Sequence, residues 1–176
     1  FAELEKESMR YAGQLKTAQF NSGDRIALIG TSNIEMVFII HACMFIGAEM
    51  VMLNNRLTAE EIAWQIDDAD VKAVIFADSF VEKLTATEVQ TISFSTLRQS
   101  KECSFEVEKN WEADQTITIM YTSGTTGFPK GVRQTVENHT SSALSSVLNL
   151  GLDESDCWLC TMPLFHISGF SILVRS

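Results

Sequence analysis

Positive charge is what this chain has least of. Among its 176 residues, 13 Lys and Arg stand against 23 Asp and Glu, a formal net charge of −10. Proteins that hold nucleic acid without sequence preference neutralise phosphates with a broad basic surface, so that class of partner is excluded. A small anionic ligand is not, because a local nest of backbone N–H groups binds one even on an acidic protein. A membrane-length apolar run is also missing. The longest apolar stretch, residues 36–52, contains His41, Gly47 and Glu49 and reads as a buried helix followed by a strand. No signal peptide is in view, and no initiating Met: Phe1 opens inside a helical pattern, and Arg175-Ser176 follow an apolar run. Both ends are expected to be cuts in a longer protein. The four cysteines supply one C-x-x-C, Cys157-Trp-Leu-Cys160, and no second. A redox pair or half a metal site would use that spacing. The segment CWLCTM reads instead as a buried strand, on which residues three apart face opposite sides. The thiols are therefore expected to be reduced, in a cytoplasmic protein.

What is present has a strand–helix rhythm. Apolar residues Leu4, Met9, Ala12, Leu15 and Phe20 recur at helical spacing in the first 20 positions. Residues 25–30 (RIALIG) form a short apolar strand. Ser32-Asn-Ile-Glu35 reads as a capping box for a helix that stops at Gly47. Residues 49–53 form a second strand, Thr58-Ala-Glu-Glu61 a second capping box, and residues 71–76 a third strand. Ile62, Ile66 and Ala69 share one face of the intervening helix. Alternation of this kind implies α/β architecture: parallel βαβ sheet layers flanked by helices, with right-handed crossovers. Residues 80–112 are more polar and read as a surface excursion with one or two short elements. The pattern sharpens again at TITIMY, a strand over 116–121. A helix is expected over 136–150 with Ala143, Leu144, Val147 and Leu148 inward, then a strand over 157–162, a turn at Pro163-Leu-Phe-His166 and an apolar helix over 167–174.

Proline and glycine are scarce, with two and nine copies, yet one proline and three glycines fall within residues 121–131, YTSGTTGFPKG. Glycines let backbone N–H groups converge on a ligand, hydroxyls add donors, and Lys130 adds charge. A flexible Gly/Ser/Thr linker has a similar composition. The loop follows directly on a buried-looking strand, however, and Pro129 stiffens it just before the lysine. It is not a Walker A loop, because Phe128 and Pro129 separate Gly127 from Lys130 and Gly131 replaces the Ser or Thr. RIALIGTSN likewise lacks G-x-G-x-x-G.

YTSGTTGFPKGV resembles the phosphate-binding signature of the adenylate-forming superfamily, which includes acyl- and aryl-CoA ligases, peptide-synthetase adenylation domains and firefly luciferase. MPLFHISG, residues 162–169, resembles that family's next motif, an aromatic–His pair beside the acyl pocket. HACMFIGAEMVMLNNRLTAEEI resembles its N-terminal region, so the likeness covers nearly the whole chain. Within the superfamily, GVRQTVENHTSSALSSVLNLGL and PLFHISGFS are most similar to the bacterial o-succinylbenzoate–CoA ligases of menaquinone synthesis.

The resemblance implies the large N-terminal domain of an AMP-binding enzyme, incomplete over residues 1–176, and an ATP-dependent acid–CoA ligase. Its substrates would be a small carboxylic acid, ATP and coenzyme A, with Mg²⁺ as cofactor. Thr122, Ser123, Gly124, Thr125, Thr126 and Gly127 would hold the β- and γ-phosphates, with Lys130 adding charge. His166 would orient the reacting groups, and with Lys130 it makes up the expected catalytic pair. Phe165, Ser168 and Gly169 would shape the acyl pocket. Arg133 reads equally as a solvated surface residue, His41 as core, and His139 carries no assigned role. The family's adenine pocket, Mg²⁺-associated acid, ribose-binding Asp, hinge, late catalytic Lys and small C-terminal domain have no counterpart here. The 176 residues alone are therefore expected to lack ligase activity. Another aryl- or fatty-acyl-CoA ligase, or a non-catalytic nucleotide-binding domain with a degenerate site, is the alternative; the intact TSGTTGFPKG run argues against degeneracy.

Overall fold

The protein was analysed as a computed structural model, which describes residues 1–123 and 128–175. After an opening helix α1 (Ala2–Thr17), the chain lays down β1 (Arg25–Ile29), α2 (Ile34–Phe45), β2 (Glu49–Met52), α3 (Ala59–Asp68) and β3 (Ala73–Phe76). A 3-10 turn (Asp78–Leu84) leads to β4 (Gln90–Ser93) and α4 (Phe94–Gln99). The remaining elements are β5 (Thr116–Thr122), β6 (Lys130–Thr135), α5 (Val136–Leu150) and α6 (Ile167–Arg175). The strands make one sheet in the order β4-β3-β1-β2-β5-β6. Every neighbouring pair is parallel except β5 and β6, which run antiparallel.

Both faces of the sheet are covered, which is why the central strands are apolar throughout rather than alternating. Successive side chains still point to opposite sides. Ile26 and Leu28 of β1 join Met50, Met52, Ala73 and Ile75 in a core with the inner faces of α1 and α2. Ala27 and Ile29 join Val51, Val74 and Phe76 in a second core against α3, through Ile62 and Ile66. Among the described residues, no helix is long and apolar enough to cross a membrane.

Three expectations are corrected: the cap of α2, the strand over 157–162 and the inward face of α5. The cap of α2 is Asn33, whose side chain accepts the Met36 N–H at 2.9 Å, and not Ser32. Ser32 Oγ instead accepts the Leu164 N–H at 3.0 Å, tying the 163–166 turn to the β1–α2 connection. Residues 90–93, a short element within the expected surface excursion, and 130–135 are also strands, one at each edge of the sheet, and the second adds an antiparallel member. Residues 157–162 form no strand, and Cys157 and Cys160 are exposed. Leu144 and Leu148 of α5 do not point inward: they are exposed, and the buried residue of that helix is His139. The helix stops expected at Gly47 and Gly151 are in place, both at positive φ (75° and 77°).

Candidate active site

Parallel strands deliver loops to the carboxyl edge of a sheet, where α/β proteins bind their ligands. Here the carboxyl ends of β2 and β5 border a cleft of about 510 Å³. One wall is Tyr121, Thr122 and Ser123 at the end of β5, with Pro129 facing back just ahead of β6. A second is the Phe165-His166 pair in the turn before α6. Met52, Asn54 and Leu57 close the β2 side, and Glu61 and Gln65 of α3 complete the lining.

Local chemistry places these groups. Pro163 O accepts the His166 N–H at 3.0 Å, and His166 O accepts the N–H groups of Gly169 and Phe170, each at 3.0 Å. The turn therefore flows into the first turn of α6 with its backbone satisfied. Phe165 and Leu164 are buried, while His166 is exposed and leans on the Phe165 ring at 4.7 Å between centroids. Gly169 is buried where a Cβ would stand 2.3 Å from the Pro163 carbonyl oxygen, so only glycine lets α6 start against that turn. Thr122 and Ser123 are exposed, and each brings a hydroxyl that can both donate and accept.

The expected site residues are thus distributed unevenly. Thr122, Ser123, Phe165 and His166 share the cleft. Lys130 pairs with Thr122 across the β5–β6 ladder but lines an adjoining cavity with Trp64, Asp68, Phe128 and Pro129; Pro129 is the wall between the two. Ser168 and Gly169 lie on α6 and do not line the cleft. Gly124, Thr125, Thr126 and Gly127 lie outside the described residues. Arg133 sits further along β6, donating to Thr116 Oγ1 at 3.0 Å and standing 3.5 Å from Glu49, away from the cleft. His41 is half-buried, with Nδ1 2.8 Å from the Val37 carbonyl oxygen.

His139, which the sequence marks with no role, is buried in the first turn of α5, 3 % exposed. The Thr118 hydroxyl donates to Gln134 Oε1 at 2.7 Å, which commits its one proton. Neutral His139 then donates from Nε2 to Thr118 Oγ1 at 3.0 Å. Its ring packs 5.1 Å from that of Phe170 on α6. Burial lowers its pKa from the ordinary 6.5. His139 therefore locks β5, β6, α5 and α6 together behind the cleft. Its neighbours in sequence, Asn138 and Thr140, carry no sign of this, because the partner groups are 21 residues and more away.

Among the described residues, no group of three or more His, Cys, Asp or Glu side chains stands ready to hold a metal ion. Glu61, the single carboxylate among the described lining residues, accepts the Thr58 N–H at 2.8 Å and completes the cap of α3. The cleft offers oxygen donors suited to a hard cation, namely the Thr122 and Ser123 hydroxyls and Asn54.

Residues 1–175 match the family described as AMP-binding enzyme. The chain is 48% identical over 176 residues to the 2-succinylbenzoate–CoA ligase of Listeria monocytogenes serovar 1/2a, covering all of this chain and 37% of that protein. It is 44% identical to the enzyme of the same name from Bacillus subtilis, of which it covers 36%. It superposes on solved structures of o-succinylbenzoate coenzyme A synthetase from Bacillus subtilis at a TM-score of 0.93 and 43% identity. One of these is a complex with ATP and magnesium ion, in which 99% of this chain matches 37% of that chain. Another holds the acyl-adenylate OSB-AMP, with 99% and 46% covered. A fatty acyl CoA synthetase from Mycobacterium tuberculosis matches at a TM-score of 0.85 and 26% identity, over 99% of this chain and 36% of that one. The chain spans just over a third of the length of the curated relatives named. With its sheet, its cleft at the ends of β2 and β5, and a match over residues 1–175, the chain belongs to the family of AMP-binding enzymes.

Proposed function

We propose that the protein to which these residues belong is an ATP-dependent o-succinylbenzoate–CoA ligase. It would form an acyl-adenylate and then a CoA thioester. The observation that carries this is a juxtaposition: the hydroxyls at the end of the signature strand, Thr122 and Ser123, share one cleft with Phe165 and His166. A triphosphate and a carboxylate are brought together in such an arrangement. The 44–48% identity to relatives named for this substrate favours it over the fatty acid of the more distant neighbour.

In the first half-reaction a carboxylate oxygen of the acid bonds to the α-phosphorus of ATP. The bond from that phosphorus to the bridging oxygen breaks, and pyrophosphate leaves. Both reactants are anions, so alignment and charge neutralisation carry the step. Thr122 and Ser123 donate hydrogen bonds to the departing phosphates, and Lys130 supplies positive charge beside them. Phe165 walls the acyl pocket, with Ser168 and Gly169 setting the path of α6 beneath it. His166 orients the carboxylate; it need not remove a proton, since a carboxylic acid is already ionised near neutrality. Mg²⁺ would be held by the nucleotide's own phosphates with the Thr122 and Ser123 hydroxyls as protein donors, and would supply charge neutralisation. In the second half-reaction the sulfur of coenzyme A attacks the acyl carbon and AMP departs. Residues 1–176 are read as the incomplete N-terminal part of the AMP-binding domain.

ATP–pyrophosphate exchange by the full-length protein, across a panel of carboxylic acids, tests the reading. Exchange that depends on o-succinylbenzoate and not on long-chain fatty acids is expected. Exchange driven by fatty acids alone would replace the substrate, and no exchange with any acid would remove adenylation itself.

A further inference from the structure

Trp64 does not line the cleft, yet it touches both chain segments that border the cleft's hydroxyl wall. Tyr121, at the end of β5, meets the Trp64 ring edge-on with centroids 5.9 Å apart. Phe128, just ahead of β6, lies over the same indole at 5.7 Å with 28° between the planes. One turn further along α3, Asp68 Oδ2 accepts the Tyr121 hydroxyl at 2.6 Å. Burial, then the hydrogen bond to that carboxylate, holds the phenol above its usual range, so it remains a donor at neutral pH. Gly131 faces Tyr121 in the ladder, and a Cβ there would stand 3.2 Å from Tyr121 Cζ and from Ile119 Cγ2. The glycine leaves the ring room to lie across β6 and reach α3.

Phe128 is 72 % exposed in spite of its stack. The face of Trp64 holds it from one side. Pro129 follows at once and lines both the cleft and the adjoining cavity, and Lys130 lines the latter with Trp64 and Asp68. Phe128 thus takes its place from an aromatic contact with α3, Pro129 follows it directly, and Lys130, paired with Thr122 in the ladder, enters β6 from that position.

We propose that Trp64 is a positioning residue for phosphate binding: through its stack on Phe128 it sets Pro129 and Lys130 against the Thr122–Ser123 wall. The inference rests on the adenylation reading for its ligand. Trp64 touches no substrate itself; it acts through Phe128, Pro129 and Lys130.

The test compares Trp64→Ala and Trp64→Phe in the full-length protein. An aromatic stack contributes enough to move an equilibrium about two- to tenfold. Trp64→Ala is expected to raise the KM for ATP in pyrophosphate exchange by about that factor, with the KM for the acid unchanged and the melting temperature within a few degrees. Trp64→Phe, which keeps a ring, is expected to restore the parent KM. A second readout needs no turnover: trypsin cleavage after Lys130 under native conditions is expected to quicken by a similar factor in Trp64→Ala only. Should the parent show no exchange, the adenylation reading falls and the cleavage rates decide whether Trp64 fixes this segment. An unchanged KM for ATP or an unchanged cleavage rate in Trp64→Ala overturns the proposal, as does equal loss in Trp64→Phe.

Discussion

At the scale of single residues, the two histidines near the cleft divide between surface and core. The His166 side chain is exposed and leans on Phe165, while its backbone hydrogen bonds, which hold the turn, survive a change of side chain. His166→Ala in the full-length protein is therefore expected to lower adenylation turnover about ten- to hundredfold through lost alignment, with melting temperature unchanged. Lys130→Ala should instead raise the KM for ATP, by a similar factor if Lys130 donates to a phosphate oxygen. Exchange kinetics of the two variants check both, and parent values in each would remove these residues from the site. His139 behaves differently, because burial favours its neutral form when folded. The unfolded chain binds a proton at His139 near pH 6.5 and the folded chain only at lower pH. Its contribution is thus fully present above that pH and is lost as pH falls through the window below it. Melting temperature is expected to fall on going from pH 7.5 to pH 5.5, and to fall less in His139→Gln. Identical pH slopes in the two proteins would show that His139 does not titrate in this way.

At the scale of elements, α3 matters most, since its inner face supports the sheet and its outer face carries Trp64 and Asp68. Its start is fixed by a reciprocal cap: Thr58 Oγ1 accepts the Glu61 N–H and Glu61 Oε2 accepts the Thr58 N–H. Thr58→Ala is expected to cost about 1 kcal/mol in denaturant unfolding. A change within error would mean that the cap is replaced by water. This helix was legible in the sequence because its cap, its apolar stripe and its turn residues all agree. The strands β1, β2 and β3 were legible as apolar runs between helices, and β5 from the alternation of TITIMY. The edge strand β6 was not, since KGVRQT has one large apolar side chain and exists as a strand by pairing with β5. β4 is similarly polar, with Ile92 its one buried member. The opposite error arose at 157–162, where apolar composition suggested a buried strand but Leu159 is 82 % exposed. The capping box reads from Ser32, but the fold caps α2 with Asn33 and engages Ser32 with Leu164. Within the site, the resemblance of the two motifs to the adenylate-forming family pointed to Thr122, Ser123, Phe165 and His166, whose cleft the fold assembles. Trp64 and His139 carry no local pattern, because every contact that gives them a part reaches across the sequence.

At the scale of the whole molecule, the sheet brings the signature strand and the 163–166 turn to one edge, and Ser32 fastens that turn in place. The central claim is that a carboxylate attacks the α-phosphate of ATP in this cleft. Isotope transfer tests it most directly. The full-length protein is given ATP, coenzyme A and o-succinylbenzoate labelled with ¹⁸O in its carboxylates, and the phosphorus products are examined by mass spectrometry. Attack at the α-phosphorus followed by thiolysis leaves one labelled oxygen on AMP and none on pyrophosphate. Label in inorganic phosphate with ADP as the nucleotide product, or unlabelled AMP, would contradict the account.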